Sequence, residues 1–494
     1  MPSYIDILLF LLGVLAGLII VAVINTIRIG LKKTQGEQRP AIGVTESELA
    51  HYADGLSKMV QIPTVSSPED LTEFYRLHRC MEELFPLVHQ NLEKIDLNGN
   101  LLFKWKGRDA SLKPIVLMGH QDVVPASDEG WDYPAFSGQQ VDGRIYGRGS
   151  LDCKCTVYSE FQAVEELLAE GFQPDFDVYL AASTDEEISG TGAPDTVDYL
   201  KSKGVECALV MDEGGAIVEN VFPGLKRPLA VIGIMEKGYV DVTFTASGKG
   251  GHSSAPPRNT PLERIAAFVT RVSKKKPFKK QFAPEVLEMF KKMAPDLIFP
   301  LRLVVGNMWL FKPLVKVVLP LASAQALAFI STTCAFTMCK GSDAPNVIPK
   351  EAHVTANLRV CDHQDADESL AVLNKIARKY DLRHTILEKR NASPKVDTGG
   401  MVYKQLEESI ARCFPDLGVV PYILMGGTDC RFYTAVSENA IRFSPIRMNQ
   451  QQLNSTHGIN ENIFIKALGD SVKFYKYLIM NFQSESRGNS VESK

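Results

Sequence analysis

The sequence predicts an α/β protein: a mainly parallel sheet domain with a ferredoxin-like α+β domain inserted into it, preceded by one transmembrane helix. Three observations carry this expectation. Apolar runs (PIVLMGH, FDVYLAAS, ALVMDEGG, VVPYILMGG, AIRFSP) alternate with helical patterns such as VYSEFQAVEELLAEG, as in sheets covered by helices on both faces. Between about Gly238 and Asn391 that rhythm gives way to strand, helix, strand, strand, helix, strand. An uncharged, almost wholly apolar stretch stands near the N-terminus.

That stretch, Ile7 to Ile24, makes a helix of about 27 Å, close to the roughly 30 Å hydrocarbon thickness of a bilayer. No Lys or Arg precedes it, and Arg28, Lys32 and Lys33 follow it. This is the pattern of an uncleaved single-pass anchor rather than a signal peptide, and the positive-inside rule places the following chain in the cytoplasm. Residues 1–33 are therefore read as anchor with basic flank, and the polar, Pro- and Gly-bearing stretch 34–45 as linker. Gly13 and Gly17 form a GxxxG pair, which membrane helices also carry without dimerising.

The main domain is read over 46–237 and 392–484, the insertion over 238–391, and a polar tail over 485–494. In the insertion, YVDVTFTASG, a helix from Thr260, STTCAFTMCKG, EAHVTANLRV, the helix DADESLAVLNKIARKYD and RHTILEKR follow one another. Its first helix and second strand are separated by a long stretch, from Lys274 to about Ile330, with a basic start and apolar helical patches. Lys274, Lys275, Lys276, Lys279 and Lys280 read as a solvated face. A sharper reading has them meet anionic headgroups, with the apolar patches covering a greasy channel.

Composition narrows the function classes. At 45% hydrophobic and 23% charged over 494 residues, the chain builds more than one core, which excludes a disordered or fibrous protein. Lys+Arg 54 against Asp+Glu 58 leaves a net charge of -4, with no basic excess to make nucleic acid a partner. Nine cysteines without CxxC pairs suit a reducing compartment rather than a disulfide framework.

The chemistry lies where polar residues end apolar runs. His120 with Asp122, the pair Glu186 and Glu187, and Asp212 each close a run that reads as a buried parallel strand, and open α/β sheets build sites at such carboxyl ends. Acids converging in one crevice need compensating charge, which two divalent metal ions supply. His120 and Asp122, two apart in extended chain, leave the same face, so the acid holds the imidazole while its other nitrogen binds metal. Asp152, in GRGSLDCK after a Gly-rich bend, is placed to bridge two ions. Of the adjacent Glu186 and Glu187, one coordinates and the other is free to take a proton from the attacking water. His457, in STHGINE, adds a nitrogen ligand. Imidazole and carboxylate donors point to zinc, with cobalt or manganese also compatible. Taken singly, each residue has an ordinary reading as a helix cap, a solvated acid or a core histidine. The recurrence at successive strand ends is what those readings do not explain. Cys153 and Cys155, beside Asp152, read as small packing residues. No GxSxG elbow favours a serine hydrolase.

In this order, GHQDVVP, GRGSLDCK, TDEEISG, MDEGG, GGHSSAPP, NVIP and GGTDCR resemble the dinuclear zinc metallopeptidases that include carboxypeptidase S, aminoacylase, carnosinase, acetylornithine deacetylase and succinyl-diaminopimelate desuccinylase. The likeness runs from about Leu56 to Phe482 and is nearest to the carboxypeptidase S and N-fatty-acyl-amino-acid hydrolase branch. It implies one zinc held by His120, Asp152 and Asp212, and a second held by Asp152, Glu187 and His457. It implies Glu186 as general base, Asp122 as the companion of His120, and His252 as an oxyanion donor, often presented to a partner subunit's site. Asn346 and Arg359 resemble substrate-binding positions, the Arg suited to clamp a carboxylate. Cys430 stands where the family's GGTDSR loop has Ser. The resemblance further implies that the inserted domain is a lid and dimerisation domain, that the protein is a homodimer, and that its substrates are short peptides or N-acyl amino acids cut beside a free carboxylate. The alternative is a tethered binding or regulatory protein that keeps the fold without turnover.

Overall fold

In the computed structural model, which describes residues 3–31, 42–322 and 324–486, the apolar N-terminal run forms one helix, Tyr4–Leu31. It is long and apolar enough to cross a membrane, and of its side chains only Ala22 and Thr26 are buried. Lys32, Lys33, the linker residues 34–41 and the tail residues 487–494 lie outside the described residues. The main domain then opens with helix Glu46–Val60, started by a capping box in which Thr45 and Glu48 satisfy each other's backbone N–H.

A ten-stranded sheet organises the main domain. At its centre Val178–Ser183, Ile115–His120, Leu209–Asp212 and Ala440–Arg442 lie side by side and parallel. Their alternate side chains enter two different cores, as a period of two requires. Ile115, Leu117, Leu180 and Met211 pack with helices Lys154–Ala169 and Ile465–Asn481, whereas Val116, Met118, Ala181 and Val210 pack with Gly192–Ser202 and Cys430–Tyr433. The flanks make the sheet mixed: Glu93–Leu97 and Asn100–Trp105 join one side antiparallel, and Leu229–Glu236 pairs antiparallel with Ala440–Arg442 and Ala216–Glu219. Gly418–Leu424 and Arg447–Asn449 add parallel pairs on the other side.

The insertion has the β-α-β-β-α-β order. Its strands lie as Thr333–Lys340, Glu351–Val360, Gly238–Ser247, Arg383–Arg390, all antiparallel. Gly238–Ser247 alternates buried and half-exposed residues, so one face packs on helices Pro261–Lys275 and Ala366–Ala377. Val242, Phe244, Phe268, Val354, Leu358 and Leu373 make a core separate from that of the main domain.

The long stretch after Lys274 packs elsewhere. Helices Pro284–Met293, Phe299–Val305 and Met308–Ala322 lie over one end of the main sheet, where Val286, Met289, Phe290 and Val315 meet Leu229, Val231 and Val420. Among the lysines of the basic run, Lys279 pairs with Glu368 at 2.9 Å.

Candidate functional site

Parallel pairing sets the site. Because Ile115–His120 lies between Val178–Ser183 and Leu209–Asp212 in the same direction, His120, the Glu186–Glu187 turn and Asp212 emerge from one edge of the sheet. His120 is fully buried, and its Nε2 lies 3.1 Å from Asp152 Oδ1. Its Nδ1 is 2.9 Å from the Asp122 main-chain carbonyl and 3.3 Å from the Asp122 carboxylate. That carboxylate also accepts the N–H groups of Glu186 (3.2 Å) and Glu187 (3.1 Å) and the Ser66 hydroxyl (2.6 Å). Asp122 therefore ties the imidazole to the turn that carries the glutamates.

Asp152 presents one oxygen to each imidazole: Oδ1 to His120, and Oδ2 to His457 Nε2 at 3.1 Å. His457 Nε2 also lies 3.0 Å from Glu187 Oε2, while Glu187 Oε1 is buried with no hydrogen-bond partner among the described residues. Two sets of donor atoms follow, His120 with Asp152 and Cys153, and Asp152 with Glu187 and His457. Asp212 stands at the same edge, but its oxygens accept the N–H groups of Glu213 and Cys430, each at 2.8 Å, and it belongs to neither set. Cys153, read from sequence as packing, has its Sγ 3.2 Å from the His120 N–H; Cys155 is buried, with its Sγ on the Leu151 carbonyl.

Sequence reasoning missed Glu461, which holds this loop in place. Its Oε1 accepts the N–H groups of Gly149 (3.0 Å), Leu151 (2.8 Å) and Asp152 (3.0 Å), and its other oxygen pairs with buried Arg148. An acid four residues after His457 was the available signal. Asp429, within the GGTDCR loop, is buried and accepts the Ser183 hydroxyl at 2.6 Å.

The predicted substrate residues lie on the insertion and belong to neither donor set. His252 is exposed on the short strand Gly251–His252, with Nδ1 2.8 Å from the Ser254 hydroxyl, and the Asn346 carbonyl accepts the Ser253 N–H at 3.0 Å. Arg359 stacks on Tyr239 at 4.8 Å, with Arg390 equally distant from the same ring. Arg390 was not foreseen, and Arg431 entered only as the last residue of the GGTDCR motif. Both reach Gly427, where an added Cβ would lie 3.1 Å from Arg390 Nη2, 3.4 Å from Glu236 Oε2 and 3.5 Å from Arg431 Nη1, the last of which donates to the Thr428 carbonyl at 2.6 Å. Arg431 Nε and Nη2 are buried without a hydrogen-bond partner among the described residues.

The donor set fits divalent cations. Asp152, Glu186, Glu187, Asp212, Glu213 and Asp429 crowd around two imidazoles. Without another cation, burial pushes Glu186 well above the carboxylate range, Asp212 up to about 6 and Asp429 up to about 7. Hydrogen bonds to Asp152 and Glu187 lift His457 to about 10. Burial works against ionised Asp152, yet the hydrogen bonds from His120 and His457 outweigh it and hold its carboxyl below the usual value. The pocket thus demands positive charge, from protons or from metal. A cavity of about 260 Å³ opens beside Asp152, walled largely by apolar side chains including Val218, Phe222, Val231, Tyr422 and Met448.

Residues 116–481 match the model of peptidase family M20/M25/M40. The chain belongs to this family. N-fatty-acyl-amino acid synthase/hydrolase PM20D1 of Bos taurus is 35% identical over 92% of each chain, and carboxypeptidase S of Saccharomyces cerevisiae 29% identical over 86% of this chain and 83% of its own. An M20 family metallo-carboxypeptidase from Sulfolobus solfataricus shares the fold with a TM-score of 0.64 at 18% identity, covering 87% of this chain and 98% of its own. Human carnosine dipeptidase 1 does so with 0.62 at 15% identity, over 89% and 99%. This M20 protein is accordingly an enzyme of a hydrolase family that uses metal ions, and the alternative of a tethered protein without turnover falls.

Proposed function

We propose that this M20 enzyme hydrolyses the amide bond of N-acyl amino acids or short peptides next to a free carboxylate. The observation that carries the reading is Asp152, which turns one oxygen to His120 and the other to His457 at 3.1 Å each, the disposition of a carboxylate shared by two cations. The apolar wall of the cavity beside it favours the N-acyl class, which the name of the bovine relative also contains.

In this reading His120, Asp152 and Asp212 would hold one zinc ion and Asp152, Glu187 and His457 the other; cobalt or manganese would suit the same donors. Asp212 would join the first set from the same sheet edge, where its oxygens also accept two backbone N–H groups. When bound, the ions supply Lewis acidity that polarises the amide carbonyl and eases deprotonation of water. Glu186 is the general base: it takes the proton of the attacking water and returns it to the departing amine. Asp122 positions both Glu186 and His120 through the bonds described above. His252 donates to the oxyanion, from the inserted domain of a partner in a homodimer, and Asn346 and Arg359 receive the substrate. Arg431 of the GGTDCR loop, whose Nε and Nη2 have no hydrogen-bond partner among the described residues, joins them as a carboxylate anchor. The inserted domain acts as lid, and the N-terminal helix tethers the enzyme with its main domain on the cytoplasmic side.

Amine release from a panel of dipeptides and N-acyl amino acids of increasing chain length, before and after chelation, tests the reading. Metal-dependent turnover that rises with acyl length and vanishes when the substrate carboxylate is amidated is expected; activity indifferent to both chelation and the carboxylate overturns it.

A further inference from the structure

The end of the N-terminal helix is gripped by two helices from the middle of the chain. Asn307 is fully buried between Phe299–Val305 and Met308–Ala322. The two N–H groups of its Nδ2 are shared among the Ala22 carbonyl (3.1 Å), Thr26 Oγ1 (3.0 Å) and the Leu303 carbonyl (2.8 Å), and its Oδ1 accepts from Asn25 (2.9 Å) and the Trp309 indole (3.2 Å). The fit is close: a Cβ on Gly306 would come 2.8 Å from Ile29 Cδ1.

The level of this contact is informative. The apolar run ends at Ile24 and the first charge is Arg28, so residues 22–30 cover about 12 Å of helix axis across the edge of the hydrocarbon layer. Helix Met308–Ala322 starts there. Its inner side chains, Met308, Phe311, Val315 and Leu319, join the apolar cluster over the main sheet. Its outer face is apolar as well, with Trp309, Leu314, Val317, Val318 and Leu321 between 50% and 81% exposed. An apolar helix left half uncovered is costly in water. Its outward charges, Lys312 and Lys316, sit on long stems that reach headgroups while covering apolar surface. At 15 residues it is about 22 Å long, short of the hydrocarbon thickness, and it meets Phe299–Val305 at 101°. These features suit a helix lying in the interface better than one crossing it.

We propose that the hairpin Phe299–Ala322 docks on the lipid bilayer beside the N-terminal helix, with Trp309, Leu314, Val317, Val318 and Leu321 among headgroups and upper acyl chains. Continuity with a membrane-length helix through Asn307 selects lipid as occupant over a second copy or a protein partner. The inner face of the hairpin shares its cluster with Val218, Val231, Tyr422 and Met448, which also line the cavity beside Asp152. A fatty-acyl tail leaving the bilayer therefore meets the hairpin on its way to the metal site; this consequence rests on the N-acyl reading, whereas docking rests only on the reading of the N-terminal helix as a membrane span.

The chain carries its own probe, since of its three tryptophans Trp105 is in the main core and Trp131 stacks on Arg148. Full-length enzyme reconstituted in phosphatidylcholine/phosphatidylglycerol vesicles is measured with lipids brominated near the headgroup. Strong quenching that is lost in Trp309→Phe is expected. Equal quenching in that variant, no quenching in vesicle-bound enzyme, or failure to partition into vesicles overturns the proposal. So does concentration-dependent shielding of Trp309 in lipid-free detergent, which indicates a second copy. Val317→Asp with Val318→Asp, both on the exposed face, should lower kcat/KM for a vesicle-borne long-chain N-acyl amino acid about tenfold, equivalent to about 1.4 kcal/mol, and leave a short soluble N-acyl substrate unchanged. An equal loss on both substrates overturns the delivery role, while inactivity of the wild type on both refutes the N-acyl reading and leaves the quenching result standing.

Discussion

Glu461 Oε1 accepts the backbone N–H of Asp152 at 3.0 Å, so the segment that presents His457 also holds the loop of the acid that faces both imidazoles. The same oxygen takes the N–H groups of Gly149 and Leu151, and Arg148 closes the other side of the carboxylate. Both charged partners are buried. Glu461→Ala leaves Arg148 buried and unpaired, a class of change that costs about 3–5 kcal/mol. A lower melting temperature and metal content well below that of the parent are expected, by calorimetry and elemental analysis. Glu461→Gln, which keeps acceptor capacity on one oxygen, should lose less of each.

Glu186 is set by the opposite logic, since its backbone is anchored on Asp122 while its own carboxylate is not assigned to either donor set. Glu186→Gln should retain the metal complement and lose hydrolysis by about 10²–10⁴-fold, the usual share of general acid–base catalysis. Metal analysis and turnover on one preparation check it. Substantial residual activity assigns the proton transfer to another group.

The parts of this site that were legible in the sequence are those for which local pattern and chemistry coincide. His120 and Asp212 end runs so apolar that only a strand buried on both faces explains them, and parallel pairing then brings their ends to one edge. The same holds for the insertion, where alternation in Gly238–Ser247 marks one covered face. Arg390 is different: nothing local sets it apart from a solvated arginine, and its approach to Gly427 of the GGTDCR loop depends on how two domains pack. Asn307 shows the same limit. A lone amide in an apolar stretch reads as surface until the N-terminal helix is found against it. The antiparallel flanks of the main sheet escaped as well, because the short hairpin of Glu93–Leu97 with Asn100–Trp105 carries charged, exposed positions that blur its periodicity.

Arg431 has the chemistry of a carboxylate anchor, since its Nε and Nη2 are buried with no hydrogen-bond partner among the described residues. A hydrogen bond to a charged group contributes about 1.5–3 kcal/mol. Arg431→Gln should therefore raise KM for N-acyl amino acids by about 10–150-fold, with a smaller change in kcat, and should not weaken a substrate whose carboxylate is already amidated. Steady-state kinetics on the acid and amide pair distinguishes anchoring from structural damage, which would depress both.

The pH dependence of metal-free enzyme follows from the crowding of acids around Asp152. Asp212 and Asp429, ordinarily near 3.8, are raised to about 6 and about 7 by burial, so between pH 4 and 7 the native state binds more protons than the unfolded chain. Stability then falls as pH rises across that window. His457 acts in the same sense at higher pH: raised from 6.5 to about 10 by Asp152 and Glu187, it stabilises fully below 6.5 and loses that contribution as pH rises through 10. Divalent metal replaces the protons at these groups, so its affinity should climb over the same range. Chelated enzyme should show a melting temperature that declines from pH 5 to 7, whereas above pH 7 the loss at His457 is opposed by buried Lys154, lowered by desolvation to about 7. Zinc should restore more of the melting temperature at pH 8 than at pH 5.5. Thermal scans at fixed ionic strength, with and without the ion, measure both slopes; a metal-free profile that is flat or rising from pH 5 to 7 contradicts the electrostatic account of the site.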